Sequence, residues 1–176
     1  MHIVLYQPEI PPNTGNIARL CAATGTALHL VEPLGFSLDD RYLRRAGLDY
    51  WPHVDVTVWP SLEAYMEGPG RGRRLVGTSA KDGTPVHTMP FTPGDSLLFG
   101  PETRGLPDTA LALCVSKVCI PQRTDTVRSL NLSTSAGIIL YQALARIGEL
   151  DAWPPNSHPA HHPGHLAGVD DHTESR

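Results

Sequence analysis

At 176 residues, 40% of them hydrophobic, the chain is long enough for one α/β domain with a sizeable core. Its formal net charge of −4 argues against indiscriminate nucleic-acid binding, and no stretch approaches the ~20 apolar residues of a membrane span. Three cysteines, Cys21, Cys114 and Cys119, lie in apolar runs without C-x-x-C spacing, so they read as reduced core residues of a cytoplasmic protein.

The chain begins Met1-His2-Ile3-Val4-Leu5 and enters a strand, Ile3–Tyr6, without a basic leader. Q-P-E-I-P-P follows, a proline-rich break, and a helix is expected from Asn13-Thr14-Gly15-Asn16, capped by Asn13 or Thr14. Ile17, Leu20, Cys21 and Thr24 fall on its apolar face, and Arg19 lies off that face beside the mouth of the first loop. Ala27–Val31 alternates little and reads as a strand buried on both faces, with His29 a hydrogen-bonded core histidine. Asp39–Gly47 reads as a short helix, acidic first and basic last, in keeping with the helix dipole. A strand over Val54–Trp59, a helix over Leu62–Glu67, a turn at Gly68–Gly72, a strand over Arg74–Thr78 and a polar loop over Ser79–Pro85 follow.

Ser96–Phe99 is a short apolar run ended by Gly100-Pro101, and Pro107-Asp108 opens an Ala/Leu helix after Gly105. In open α/β sheets such loops at the carboxyl ends of strands hold ligands. A phosphate cradle would place a Lys and Ser/Thr here, whereas this loop carries a carboxylate, Glu102, which should face a cation, an arginine or hydroxyls. Read alone, G-P-E-T-R-G is equally a strand-turn-helix joint with a solvated Glu. Lys117–Ile120 is the last strand. A polar loop, Gln122–Asn131, delivers the chain to a helix whose apolar positions Ala136, Ile139, Leu140, Ala143, Leu144 and Ile147 share one face, with Ser129 or Asn131 as its N-cap and Gly148 as its stop. Residues 151–176 are rich in Pro and His and lack core-forming residues, so they read as a disordered tail after a domain of residues 1–150; free histidines there lack the fixed geometry of a metal site. Arginines outnumber lysines and cluster at Arg41, Arg44 and Arg45, at Arg71, Arg73 and Arg74, and at Arg123 and Arg128, a pattern suited to a shaped partner bearing phosphates.

Three loops thus point to one end of a sheet: Asn13–Arg19, Gly100–Leu106 and Ile120–Asn131. N-T-G-N-I-A-R, L-L-F-G-P-E-T-R-G-L and I-P followed by R-S-L-N-L-S resemble the three motifs of the SPOUT superfamily of RNA methyltransferases. L-Y-Q-P-E-I-P-P-N-T-G-N and R-R-A-G-L-D-Y resemble its small single-domain TrmL (YibK) type, which 2′-O-methylates the wobble nucleotide of tRNA; the likeness spans residues 1–148. The resemblance implies an α/β fold with a parallel sheet between helices and a C-terminal trefoil knot. It also implies a homodimer that binds S-adenosylmethionine and the tRNA anticodon stem-loop. By position, Thr78, Gly100, Glu102, Ile120, Ser129, Leu130 and Asn131 would hold the cofactor, Gly100 where backbone meets ligand and Glu102 near the cationic sulfonium and ribose hydroxyls. Arg19 resembles the family's catalytic arginine, with Asn16 holding that end of the site. RNA phosphates would meet Arg41, Arg44, Arg45 and Arg128. Two alternatives stand beside this reading: the same chemistry at another tRNA or rRNA site, and a knot dimer that binds S-adenosylmethionine or RNA without transferring methyl groups.

Overall fold

Ile3-Val4-Leu5 and Leu97-Leu98-Phe99 are apolar at consecutive positions, so both faces of these strands must be covered by other elements. A computed structural model, which describes residues 1–38, 54–124 and 126–154, shows how this is met. β1 (His2–Tyr6) is central, between β2 (Ala27–Val31) and β6 (Ser96–Phe99). β3 (Val56–Trp59) lies outside β2, while β4 (Leu75–Thr78), β7 (Ser116–Cys119) and β5 (Thr84–Pro85) extend the sheet beyond β6. All pairings in this order, β3-β2-β1-β6-β4-β7-β5, are parallel. Successive side chains alternate between faces. Ile3, Leu5, Leu28, Leu30, Leu97 and Phe99 pack under α1 (Pro11–Thr24) and α4 (Leu132–Arg146), while Val4, Val31, Leu75 and Leu98 pack under α2 (Leu62–Glu67) and α3 (Asp108–Leu111). The chain leaves β1 toward β2 on one side and returns as β6 on the other, so the loops after β1 and β6 diverge and open a crevice at their carboxyl ends.

Four expectations change. The first helix begins at Pro11, with Ile10 at the N-cap and no side-chain cap; Pro11 and Pro12 occupy the first turn, where no intrahelical N–H is needed. Asn13 and Thr14 are therefore buried inside the helix rather than capping it. Thr84–Pro85, read as loop, adds a two-residue strand beside β7. Of the cysteines only Cys21 is fully buried, its thiol pushed up to about 12 by burial; Cys114 and Cys119 are half-buried. Finally, the folded part continues past residue 150: Leu150–Ala152 form a 3₁₀ turn and the Trp153 ring meets Tyr141 edge-on at 6.3 Å. The helix expected over Asp39–Gly47 and the segment from residue 155 onward lie outside the described residues. Among the described residues no helix is long and apolar enough to cross a membrane.

His29 is 4% exposed and hydrogen-bonded, as expected of a core histidine. Trp59 Nε1–H donates to His29 Nδ1 at 3.1 Å, so the His29 proton sits on Nε2 and points to His2 Nδ1, also at 3.1 Å. Tyr65 Oη lies 3.0 Å from His2 Nδ1 and 2.7 Å from Ser96 Oγ, which extends the chain of neutral groups beneath α2. Burial, reinforced by the nearby Arg73 guanidinium, pushes both imidazoles down to about 4; Asp55 opposes the shift at His29. An imidazolium at position 29 would also set N–H against N–H at Trp59. Because the unfolded rings protonate near pH 6.5, the stability from keeping them neutral is complete above that pH and is lost as pH falls from about 6.5 through about 4. The melting temperature should therefore drop between pH 7 and pH 5. Imidazole NMR titration should place both rings near 4, and a normal midpoint for either would contradict the network.

Candidate functional site

The three motif loops meet at the carboxyl ends of β1 and β6, and side chains rather than backbone ladders join them. Glu102 Oε2 accepts from Glu9 N–H at 2.9 Å, while Oε1 accepts from Ile10 N–H at 3.3 Å and from Asn13 Nδ2 at 3.0 Å. Asn13 Oδ1 in turn accepts from Asn131 Nδ2 at 2.9 Å. Asn131 Oδ1 caps α4, accepting from Ser133 N–H at 2.9 Å and Thr134 N–H at 3.3 Å. A second clasp runs the other way: Glu9 accepts from Thr103 N–H at 3.0 Å and Thr103 Oγ1 at 2.9 Å, with Arg104 Nη1 at 3.6 Å. Glu102 thus does for α1 what a local cap would do, from 92 residues away. Three N–H donors of the chain itself also surround it, which the sequence did not indicate. A carboxylate has about four acceptor sites, so one remains for a ligand.

Beside this relay lies a cleft of about 960 Å³. Thr78, Gly100, Glu102, Ile120, Ser129, Leu130 and Asn131 all line it, as does Arg128. Gly100 is required for a reason other than the expected one. A Cβ there would sit 2.4 Å from Gly105 C and Leu106 N, so a side chain would collide with the loop itself before meeting any ligand. Gly105, at φ +72°, supplies the left-handed turn that brings the loop back. Ile120, Leu130 and Leu132 give the cleft apolar walls, and Asp82 and Glu102 give it carboxylates.

Arg19 and Asn16 are not in this cleft. With Leu20 and Ala23 they line a shallow groove of about 370 Å³ between α1 and α4, opposite Ser133, Thr134 and Gly137. Arg19 is exposed, as expected for the polar side of its helix. Arg41, Arg44 and Arg45 lie outside the described residues. The residues that sequence reasoning missed are Asn13, Glu9 and Arg104. The surplus of Asn and Glu around the two loops was the available signal, but which of them pair is set by tertiary contacts.

Comparison with known proteins follows the same outline. Residues 1–141 match the model of the SpoU rRNA Methylase family. The chain is 48% identical over 151 residues to an Escherichia coli K12 tRNA (cytidine(34)-2′-O)-methyltransferase, covering 84% of this chain and 94% of the relative. It is 51% identical over 143 residues to a protein of the same name from Methylovorus glucosotrophus, covering 80% and 92%. A solved structure described as giving insight into the 2-OH methylation of C/U34 on tRNA superposes with a TM-score of 0.78 at 49% identity, covering 82% of this chain and 94% of the other. The SpoU methyltransferase AviRb from Streptomyces viridochromogenes, in complex with AdoMet, superposes at 0.74 with 28% identity, covering 83% and 60%.

The relay predicts the behaviour of Asn13→Ala. The change leaves Glu102 one donor short and strands the Asn131 amide, which should cost about 1–3 kcal/mol of stability and loosen the cleft. Thermal unfolding and calorimetric titration with S-adenosylmethionine should both register the loss; wild-type values in both would show that the loops stand without it.

Proposed function

Because the chain belongs to the SpoU rRNA Methylase family, we propose that it is an S-adenosylmethionine-dependent methyltransferase that acts on the ribose 2′-hydroxyl of the wobble nucleotide in the tRNA anticodon loop. The observation that carries this reading is the Glu102–Asn13–Asn131 relay, which draws three motif loops around one cleft. The residues of the cleft fit the cofactor. Ile120, Leu130 and Leu132 offer an apolar face to adenosine, and Ser129, Asn131 and Thr78 offer polar groups at its edge. Asp82 is paired with Lys117, and Glu102, with one acceptor site left, suits a cationic sulfur or a ribose hydroxyl. Bound there, S-adenosylmethionine supplies a methyl group on a cationic sulfur. The chain's own task is then to orient the 2′-hydroxyl and to manage its proton and developing charge.

Arg19 takes that second role; because it lines the groove outside the cleft, it would do so at the cleft of the partner protomer in the homodimer that the family resemblance implies. A guanidinium stays protonated, so it is a poor base and a good stabiliser of alkoxide charge. Asn16, one turn before it along the same groove, holds that end of the site. Arg128 at the cleft, with Arg41, Arg44 and Arg45, meets RNA phosphates. The domain is residues 1–150 with the short ordered extension to Trp153. The homodimer, the cytoplasmic location and the trefoil knot rest on the family resemblance.

The test is to incubate the protein with tRNA and methyl-labelled S-adenosylmethionine and to map the product by nuclease digestion and mass spectrometry. The label should lie on the 2′-oxygen of the first anticodon nucleotide; label at another position would overturn the substrate assignment. In the same assay, run as single turnover, Arg19→Ala should slow transfer about 10²–10³-fold while its affinity for S-adenosylmethionine stays within about threefold. An alanine variant as fast as wild type would remove Arg19 from the chemistry.

A further inference from the structure

Arg104 lines the cleft and is held from outside the lining by Gln7. Gln7, at φ +50°, is the one non-glycine residue at positive φ among the described residues. That conformation is strained for a residue with a Cβ and persists only where its surroundings over-determine it. Here Gln7 N–H donates to Val31 O at 2.9 Å, Gly35 N–H donates to Pro8 O at 2.9 Å, and Gln7 Oε1 accepts from Arg104 Nη2 at 2.7 Å. The loops do not need this arginine to close. Both oxygens of Glu9 already accept from Thr103, and Arg104 adds an ion contact at 3.6 Å. Its side chain is 59% exposed, and it lines the cleft. A guanidinium carries five donors and no acceptor, and these contacts do not exhaust them. Glu9 offsets part of its charge, and the edge it presents is rich in donors. Such an edge fits an acceptor oxygen of the substrate.

We propose that Arg104, oriented by Gln7, donates to O2 of the target pyrimidine, an inference that rests on the tRNA reading above. Cytidine and uridine differ at C4 and at N3, and both carry O2. O2 sits on the carbon beside the glycosidic nitrogen, so it is the base acceptor nearest the ribose. A protein that holds the 2′-hydroxyl and accepts either pyrimidine has O2 as its common handle. Arg104 is then a specificity residue that is indifferent to C versus U, and Gln7 is a positioning residue that acts through it.

The test uses the full chain, saturating S-adenosylmethionine and limiting tRNA whose first anticodon nucleotide is cytidine, uridine or the 2-thio counterpart of each. Wild type should methylate the two oxygen substrates at similar rates and the thio substrates about tenfold more slowly, because sulfur is the weaker acceptor. Arg104→Ala should lose about tenfold on the oxygen substrates and show no further loss with sulfur, at an unchanged melting temperature. Gln7→Ala should show the same pattern with a smaller loss, and Arg104→Lys should recover part of the rate. Equal losses on oxygen and sulfur substrates would mean a phosphate contact and would overturn the assignment, as would no loss at all. A wild-type protein that binds S-adenosylmethionine but methylates neither cytidine nor uridine would overturn the tRNA reading and this inference with it.

Discussion

A single carboxylate determines whether this molecule has a site. Glu102 accepts from the backbone N–H groups of Glu9 and Ile10 and from the side chain of Asn13, and Asn13 passes the connection to Asn131 at the start of α4. In sequence, Asn13, just past the loop after β1, lies 89 residues from Glu102 in the loop after β6 and 118 from Asn131 at the N-terminus of α4, and no ladder joins these segments. Closing such long loops costs chain entropy, and charge-assisted hydrogen bonds are among the stronger interactions able to offset it. The reciprocal clasp from Thr103 to Glu9 binds the same two loops again, so neither can shift without breaking both. A ligand then meets a cleft whose walls are already placed, which lowers the ordering cost of binding.

The topology explains why the relay sits where it does. β1 is the strand at which the connection order reverses, and the loops leaving β1 and β6 must part to reach opposite sides of the sheet. Glu102 and Glu9 bridge the gap that this parting leaves. The groove that holds Arg19 and Asn16 lies elsewhere, along the seam of α1 and α4, although Asn13 and Asn16 are one turn apart on the same helix. α1 therefore contributes to both features. Its first turn belongs to the cleft and its later turns to the groove, so the relay that fixes the first turn also fixes the helix that carries Arg19.

Much of the architecture was legible because it depends on local pattern. β2, β6 and α2 have the expected bounds, and the apolar positions Ala136, Ile139, Leu140, Ala143 and Leu144 of α4 are buried as their spacing requires. Asn131 caps α4, one of the two candidates that the sequence offered. What was not legible depends on partners distant in sequence. Asn13 has the composition of a cap, but Glu102 already serves that end of α1, so Asn13 turns inward as a bridge. Gly100 reads as room for a ligand, whereas the backbone of Gly105 and Leu106 occupies that room. Thr84–Pro85 carries no strand pattern in two residues, and only the edge of β7 makes it one. The motif residues that resemblance assigned to the cofactor do share one cleft, while those assigned to catalysis occupy a separate surface.

The central claim is that the three loops are held together before any ligand arrives, and backbone amide exchange in the free protein tests it most directly. Thr103 N–H bonds to the Glu9 carboxylate, and the N–H groups of Glu9 and Ile10 bond to the carboxylate of Glu102. These three amides should exchange far more slowly than unstructured peptide without S-adenosylmethionine present, and should lose that protection together in Glu102→Ala. Exchange at unstructured rates in the free wild-type protein, with protection appearing only on addition of the cofactor, would show that the ligand assembles the site and would contradict the account.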